Sequence, residues 1–497
     1  MTGSTTLNAS RRRRELAEIG DGTAIDVLVI GGGITGVGVA LDAASRGLRT
    51  VLVERRDLAF GTSRWSSKLV HGGLRYLASG NVGIARECAV ERHILMTRTA
   101  PHLVRAMPQL VPLLPSLGRA ERALVRVGFL AGDALRATAG TPAMLLPRSR
   151  RVGPGEAVRL APRVRRDGLS GGLLAYDGQL VDDARLVVAL ARTAAGHGAK
   201  VLTRVAAHDV AGDGARLRDE LSGEEIDISA RAVVNAAGVW AGQVDPEITL
   251  RPSRGTHLVL SAQRLGNPTA ALTVPIPGAT NRFVFALPAQ LGRVYLGLTD
   301  EAAPGEIPDV AAATETEIDF LLATVNTAMC EDLTRADVLG TYTGLRPLLD
   351  TGDGATSDLS RRHAVLRAAT GVISVVGGKL TTYRRMAQDA VDVAVRAAGL
   401  ASGPCVTTNL PAVGAGACPP GPPPSLVARY GAEAPAVAAG DLTPVADGLD
   451  VTRAELAFAL THEGALDVDD LLDRRTRIGL VPADRDRALE AAREALG

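Results

Sequence analysis

The chain has 497 residues, of which 46% are hydrophobic and 22% charged, so it is long enough for two or three domains with buried cores. A net charge of +1 and an aromatic content of 3% argue against a nucleic-acid-binding protein, which would need a basic surface or base-stacking side chains. Four scattered cysteines predict neither a disulfide framework nor a metal site, and they favour a reducing cytoplasm. The basic amino-terminal segment has no apolar run after it, and no stretch approaches the roughly 18 apolar residues of a membrane span.

The first predicted elements form one βαβ unit. Residues 24–30 ("AIDVLVI") have the continuous apolar pattern of a buried strand and run directly into "GGGITGVG". Residues 37–46 are rich in small residues and precede Gly47, which is typical of a helix with a glycine at its carboxyl end. Residues 48–54 ("LRTVLVE") then predict the second strand.

The glycine run between strand and helix predicts a phosphate-binding turn. Gly31 permits a tight turn, Gly33 lets the backbone approach a pyrophosphate, and Gly36 lets the helix pack closely. Glu54 ends the second strand, where a carboxylate can accept hydrogen bonds from ribose hydroxyls. A glycine-rich turn without a ligand is the alternative, but the strand, the helix and the acid all favour dinucleotide binding. The motif does not separate FAD from NAD.

Strand and helix patterns then alternate, stop and return, which predicts a first domain interrupted by an inserted second one. Residues 250–350 alternate in a β-like way, and residues 371–395 return to strand, glycine turn and helix. A Pro- and Gly-rich segment is typical of a linker before a small helical domain. The predicted boundaries are 24–110, 176–250 and 355–400 for the first domain, 111–175 and 251–354 for the second, 402–425 for the linker, and 426–497 for the helical domain.

Several motifs together resemble the FAD-dependent glycerol-3-phosphate dehydrogenases. They are the βαβ segment "DVLVIGGGITGVGVALDAASRGLRTVLVERRDLAFGTS", then "SSKLVHGGLRYL", "VDDARL", "TYTGLRPL" and "GGKLTTYR", with "LLDRRTRIG" resembling that family's carboxyl-terminal domain. The resemblance implies an α/β fold with a discontinuous, Rossmann-like FAD-binding domain of the glutathione-reductase type. It also implies an antiparallel β-sheet substrate domain and a C-terminal helical domain.

This family oxidises sn-glycerol 3-phosphate to dihydroxyacetone phosphate, reduces FAD and passes electrons to a membrane quinone. The resemblance therefore implies FAD as the cofactor, glycerol 3-phosphate, a membrane quinone and the membrane surface as partners, and peripheral attachment to the inner face of the cell membrane. A homodimer is one candidate assembly. The implied FAD contacts are Gly31, Gly33, Gly36, Glu54, Thr62, Ser63, Ser66, Ser67, Lys68, Leu69, His71, Gly378, Lys379, Leu380 and Thr381, and the implied substrate contacts are Arg75, Tyr76, His257, Arg346 and Lys379.

Catalytic roles are expected at His257, Arg346 and Lys379. Arg346 and Arg75 each follow a glycine by two residues, which favours a position after a turn, and a guanidinium can bind phosphate with two hydrogen bonds. Lys379 would lie near the flavin ring. His257 lies in an apolar, strand-like run, where a buried structural histidine and a general base are both open interpretations. His71 is expected on the cofactor side, and Tyr76 either binds substrate or only packs.

Two basic segments have two interpretations each. Residues 117–138 carry arginines among apolar residues at helical spacing. They predict either a helix on a membrane surface with its arginines on anionic lipid, or an ordinary packed helix with a solvated polar face. Residues 11–14 are all arginine and either assist membrane attachment or form a disordered tail.

Three functions compete with a quinone-linked dehydrogenase. They are a glycerol-3-phosphate oxidase that uses O₂, an amino-acid or hydroxy-acid oxidase on the same fold, and a flavin-binding scaffold without turnover. The length fits the bacterial dehydrogenases better than the longer soluble oxidases of the family, and no D-x-D-x-D-G calcium loop follows the last motif.

Overall fold

The buried run Ile25–Ile30 forms a central strand of the first of two sheets, as the sequence predicts. The computed structural model describes residues 3–73, 76, 80–279, 282–350 and 362–497. Its strands within these ranges are β1 Ile25–Ile30, β2 Thr50–Glu54, β3 Leu69–Val70, β4 Val104–Pro112, β5 Arg150–Val152, β6 Gly172–Leu180, β7 Lys200–Thr203, β8 Val205–Ala211, β9 Gly214–Asp219, β10 Glu225–Asn235, β11 Ser253–Ser261, β12 Ala271–Pro275, β13 Phe283–Pro288, β14 Arg293–Gly297, β15 Glu301–Ala302, β16 Val338–Arg346, β17 His363–Arg367 and β18 Ile373–Gly377.

The helices of the same ranges lie between and after these strands. They are α1 Ala9–Gly20, α2 Ile34–Ser45, α3 Val82–Ile94, α4 Arg119–Thr138, α5 Pro154–Leu160, α6 Asp183–Gly196, α7 Ala241–Val244, α8 Glu315–Asn326, α9 Tyr383–Ala398, α10 Pro424–Tyr430, α11 Ala434–Ala438, α12 Arg453–His462 and α13 Pro482–Leu496.

The first sheet has the order β17-β18-β10-β1-β2-β7. The neighbours from β18 to β7 are parallel, and β17 is antiparallel at the edge. Val27 and Val29 face a cluster that includes α2, α6 and α9, whereas Leu28 and Ile30 face α1 and the strands β8 to β10. Because both faces are covered, β1 is apolar throughout rather than alternating. This layered arrangement confirms the predicted Rossmann-like domain.

The second sheet has the order β15-β11-β14-β13-β12-β4-β6-β3, with β16 paired to β11 and β5 to β6. All of these pairs are antiparallel except β12 with β4, so the predicted antiparallel sheet is confirmed. The predicted domain boundaries at 110/111 and 175/176 fall inside β4 and β6. Residues 104–110 and 176–180 therefore pair within the second sheet rather than with the first.

The carboxyl-terminal part contains α10 to α13 around two apolar clusters of its own. The preceding Pro- and Gly-rich segment is fixed to the first domain by hydrogen bonds from Gly403 N to Arg46 O, from Ala412 N to Thr99 O and from Val413 N to Thr193 Oγ1. The first half of this segment therefore lies against the first domain.

Two of the four amino-terminal arginines have partners within the protein. They begin α1, where Arg12 is buried, donates to Thr203 O and pairs with Asp219, while Arg11 pairs with Glu15. The disordered tail suggested by the sequence is therefore wrong for these two residues.

Among the described residues, no helix has both the length and the apolar character needed to cross a membrane.

Candidate active site

The glycine turn after β1 has the shape that the sequence predicts. Gly31 has a φ of +112°, and a Cβ there would lie 2.6 Å from Ala236 O. A Cβ on Gly36 would lie 1.8 Å from Gly31 O, so only glycine lets α2 begin this close to the turn. Gly33 is the N-cap residue of α2. The turn therefore presents a helix amino terminus with closely approachable backbone, which fits a pyrophosphate.

Glu54 is at the end of β2 and supports this turn. Its carboxylate accepts hydrogen bonds from Gly32 N at 2.6 Å and from Arg56 N at 2.8 Å. Burial raises the pKa of the Glu54 carboxyl. Each carboxylate oxygen has a second lone pair, so both backbone contacts leave acceptor capacity for a ribose hydroxyl.

The segment 55–68, here called the connecting loop, joins the glycine turn to the second sheet. Ser63 Oγ accepts from Ile34 N at 2.8 Å, at the first residue of α2. One residue earlier, Thr62 Oγ1 donates to Leu345 O of β16 at 2.6 Å. The loop therefore contacts both sheets, and the predicted cofactor residues Thr62 and Ser63 lie where it does so.

The end of the connecting loop is fixed by a buried carboxylate, Asp183, at the start of α6. Asp183 Oδ2 accepts from Ser66 N at 3.0 Å, from Ser66 Oγ at 2.7 Å and from Lys68 Nζ at 2.9 Å. Lys68 is 1% exposed and also donates to Arg64 O at 2.9 Å. The Lys68 ammonium therefore has partners within the protein, and the cofactor contacts of Lys68 and of the buried strand residue Leu69 stay predictions.

His257 lies opposite Tyr342 in the register of β11 and β16. Their rings stack with centroids 4.6 Å apart, and Gly297 leaves room for the imidazole, because a Cβ there would lie 2.2 Å from it. His257 Nε2 is 2.8 Å from Ser67 Oγ, while Nδ1 has no hydrogen-bond partner among the described residues. The ring is therefore held at Nε2, and Nδ1 is a buried polar atom with unused hydrogen-bonding capacity.

The environment of His257 favours a neutral ring. Burial, and then the nearby cations Lys68 and Arg346, hold the pKa of the imidazole well below its usual value. At neutral pH the ring can therefore accept a proton or a hydrogen bond, which a general base requires. The low pKa also makes it a weaker base than an exposed histidine.

Arg346 is the last residue of β16, so the sequence prediction that it follows a turn is wrong: Gly344 and Leu345 are strand residues paired to β11. Its Nη1 donates to Ser253 Oγ at 3.1 Å and to Asp300 Oδ1 at 3.2 Å, and Nη2 donates to Thr299 O at 3.0 Å. These contacts fix the plane of a partly buried guanidinium on the same strand pair that carries His257.

Lys379 follows Gly377 and Gly378, which have φ values of +73° and +79°. Its Nζ donates to Cys88 Sγ at 3.0 Å and lies 3.6 Å from the centroid of the Tyr76 ring. The next residues, Leu380–Thr382, form a short turn that contacts β3. Tyr76 and Lys379, both predicted to bind substrate, are therefore adjacent at the end of β18.

His71 is half-exposed, with Nδ1 3.4 Å from Asp177 Oδ2. The same carboxylate accepts from Gly72 N and from Arg92 Nη1, so it fixes the glycine pair that follows His71. The predicted substrate ligand Arg75 lies outside the described residues.

Comparisons with known proteins agree along the whole chain. The family "FAD dependent oxidoreductase" matches residues 26–406, and the family "C-terminal domain of alpha-glycerophosphate oxidase" matches residues 405–497. "Glycerol-3-phosphate dehydrogenase 1" of Mycobacterium tuberculosis is 65% identical and aligns over 100% of this chain and 99% of its own length. The chain belongs to the FAD-dependent glycerol-3-phosphate dehydrogenase family.

Two solved structures resemble the fold of this family member. The glycerol-3-phosphate dehydrogenase from Bacillus halodurans complexed with FAD has a TM-score of 0.73 at 25% identity, covering 98% of this chain and 94% of the other. The L-alpha-glycerophosphate oxidase from Mycoplasma pneumoniae with FAD bound has a TM-score of 0.59 at 16% identity, covering 78% and 98%, which shows a shared fold alone. The cofactor is FAD, and the approachable backbone at Gly31 and Gly36 fits it.

Sequence reasoning on this family member missed four residues that shape the site: Asp183, Tyr342, Cys88 and Asp177. The sequence does contain a sign of Asp183. The pair "DD" directly before an apolar helical pattern suggests one N-cap residue and a second carboxylate that needs a partner. Tyr342 lies within "TYTGLRPL" but gains its role from pairing with β11. Cys88 and Asp177 contact partners that no local pattern identifies.

The depressed pKa of His257 predicts a specific acid sensitivity of folding. The unfolded histidine binds a proton near pH 6.5 and the folded one does not, so stability is lost as the pH falls below about 6.5, by about 1.4 kcal/mol per pH unit for this residue. Denaturant titrations between pH 7.5 and 5 should show a shallower decline for His257→Gln than for the unchanged protein. Equal declines would contradict the neutral, buried imidazole.

Proposed function

We propose that the protein oxidises sn-glycerol 3-phosphate to dihydroxyacetone phosphate. The observation that carries the proposal is the 2.8 Å contact between Ser67 and His257, which joins the loop leaving the dinucleotide turn to the strand pair of His257 and Arg346. One short segment thereby places a neutral base and a guanidinium beside the cofactor domain. Bound FAD supplies the acceptor for the hydride that leaves C2 of the substrate.

The side chains divide the remaining work. Arg346, whose plane is fixed by Ser253, Asp300 and Thr299, binds the substrate phosphate through charge-assisted hydrogen bonds. His257 takes the proton of the C2 hydroxyl as the carbonyl forms, because a neutral imidazole can accept it. Lys379, beside Tyr76 at the end of β18, adds positive charge that favours a dianionic substrate and a reduced, anionic cofactor.

Arg346 offers the direct test of phosphate recognition. Arg346→Lys keeps the charge but not the planar fork, and it should lower kcat/KM for glycerol 3-phosphate about 10- to 100-fold while FAD stays bound. Arg335→Lys is the matched control, because Arg335 is an exposed arginine paired with Glu315 and Asp319 on α8. Loss of FAD from Arg346→Lys, or better turnover of a non-phosphorylated hydroxy or amino acid, would contradict the assignment.

We further propose that the electrons pass to a membrane quinone. An oxidase would instead transfer them to O₂ and release one hydrogen peroxide per substrate oxidised. In air, the purified holoenzyme with glycerol 3-phosphate should reduce an added soluble quinone and release far less peroxide than substrate consumed. Stoichiometric peroxide would support the oxidase alternative without affecting the proposed substrate.

Helix α4 supports attachment to a membrane, but through a different face from the one the sequence suggested. Three of its four arginines have partners within the protein: Arg122 donates to Leu114 O and Leu117 O, Arg126 to Ser149 Oγ, and Arg136 to Thr141 O, while Arg119 is exposed. The outward face is apolar and includes Leu124, Val127 and Leu130, which are 49%, 62% and 49% exposed. The apolar residues rather than the three engaged arginines would therefore enter the lipid.

The charge around this apolar face matches an anionic lipid surface. Residues 115–153 contain seven arginines and two carboxylates, in a chain whose net charge is only +1. Glu121 accepts from Gly118 N and Asp133 from Ser149, so both carboxylates are engaged within the segment. Arg119, Arg148 and Arg151 of the same segment are exposed. An apolar stripe bordered by cations is typical of helices that lie in the membrane interface.

Vesicle binding tests this surface. The triple variant Leu124→Ser, Val127→Ser and Leu130→Ser should lower co-sedimentation with phosphatidylglycerol-containing vesicles at least tenfold, because each aliphatic side chain loses about 1–2 kcal/mol of transfer free energy. Leu221→Ser is the control, since Leu221 is 60% exposed in the turn between β9 and β10. Unchanged binding of the triple variant, or a change in its oligomeric state, would show that α4 does not meet lipid.

A further inference from the structure

The carboxyl-terminal domain contacts the connecting loop through the three arginines of the sequence "RRTR", which are Arg474, Arg475 and Arg477. Arg474 Nε donates to Asp57 Oδ2 at 2.7 Å, and Arg475 binds both oxygens of Asp57 at 2.8 and 2.9 Å. These two arginines anchor the domain at the start of the loop. Arg477 does something different, because it contacts the loop at the end that leads to His257.

Arg477 is fully buried and has partners in both domains. Its Nη2 donates to Arg64 O at 2.5 Å, Nε donates to Asp182 Oδ2 at 3.1 Å, and Nη1 donates to Asp473 O at 2.6 Å. The guanidinium also lies over the Trp65 ring at 5.2 Å. One side chain thus joins the carboxyl-terminal domain, the start of α6 and the turn at Arg64.

The turn at Arg64 leads directly to the catalytic histidine. Arg64 O also accepts from Lys68 Nζ, and Lys68 is paired with Asp183. Residues 65–67 therefore lie between two residues that are held in place, Arg64 and Lys68. Ser67 lies inside this span, and its hydroxyl is the partner of His257 Nε2. That hydroxyl is therefore held from two sides, by Asp183 through Ser66 and Lys68 and by Arg477 through Arg64 O.

We propose that Arg477 is a positioning residue, through which the carboxyl-terminal domain fixes Ser67 and so the ring of His257. The proposal gives this domain a role in catalysis that its distance from the cofactor turn along the chain does not suggest. Its kinetic test rests on the proposed function, whereas the NMR test of the His257 ring does not.

The kinetic test compares matched buried arginines in the holoenzyme. Arg477→Lys keeps the charge beside Asp182 but cannot reach all three partners, so kcat should fall on the order of 10- to 100-fold with a smaller change in KM. Arg429→Lys is the control, because Arg429 pairs with Glu455 and Asp450 inside the carboxyl-terminal domain. The control should lower thermal stability without lowering kcat more than about twofold.

Ser67→Ala completes a double-mutant cycle. If Arg477 acts through Ser67, the double variant Arg477→Lys/Ser67→Ala should have the kcat of Ser67→Ala alone, because the second change removes nothing further. Independent, multiplying losses would overturn the proposal. Equal effects of Arg477→Lys and Arg429→Lys would also overturn it, since they would reflect general loosening of the domain.

The independent test follows the His257 ring by NMR of histidine-labelled holoenzyme. The groups facing the ring are Lys68, Arg346 and Tyr342, with Gly297 on the neighbouring strand. Loosening the loop admits water, so the pKa of His257 should rise toward its ordinary value in Arg477→Lys and stay depressed in Arg429→Lys. An unchanged pKa would overturn the positioning role even in a protein that oxidises another substrate.

Asp182→Asn provides a second variant if Arg477→Lys does not fold. Asparagine can replace aspartate as the N-cap of α6, where Asp182 accepts from Ala184 N and Arg185 N. The change weakens the hold on Arg477 without removing the guanidinium. The pKa of His257 should rise in this variant too, and no rise would count against the proposal.

Discussion

The buried carboxylate of Asp57 and the two arginines that bind it join parts of the chain that are 417 and 418 residues apart. Burial alone would raise the pKa of Asp57, but Arg475 and Arg474 outweigh burial and hold the pKa well below its ordinary value. Removing Asp57 would leave the buried Arg475 without a carboxylate partner, and an uncompensated buried charge typically costs about 3–5 kcal/mol. The ion pairs therefore require both domains to be present, and they fix the loop that runs from the dinucleotide turn to the second sheet.

That loop links the dinucleotide turn to the sheet that carries His257 and Arg346. Within it, Ser63 accepts from the first residue of α2, and Ser67, near the end of the loop, contacts His257. Thr62, next to Ser63, donates to a backbone carbonyl of β16, the strand that ends at Arg346. One short segment makes all three contacts. It therefore fixes the position of the second sheet relative to the dinucleotide turn.

The dinucleotide turn is the part of this site that the sequence predicts correctly. The strand, glycine turn and helix around Gly31 follow from hydrophobic periodicity and from backbone sterics within about 30 residues. The glycine two residues before Arg346 wrongly predicts a turn there, because the strand that holds Arg346 is defined only by its pairing with β11. Domain boundaries fell inside β4 and β6 for the same reason. The outward apolar face of α4 was missed because helical periodicity gives the angle between residues but not the face that packs. The partners of Arg475 and Arg477 are set by tertiary contacts that a single sequence does not encode locally.

The central claim is that this site oxidises a phosphorylated secondary alcohol and reduces its bound flavin. Anaerobic mixing of the oxidised holoenzyme with sn-glycerol 3-phosphate tests it most directly, because no electron acceptor other than the flavin is then present. The account predicts loss of the yellow flavin absorbance with glycerol 3-phosphate and little loss with glycerol, which lacks the phosphate. A flavin that stays oxidised with glycerol 3-phosphate, or that is reduced equally by glycerol, would contradict it.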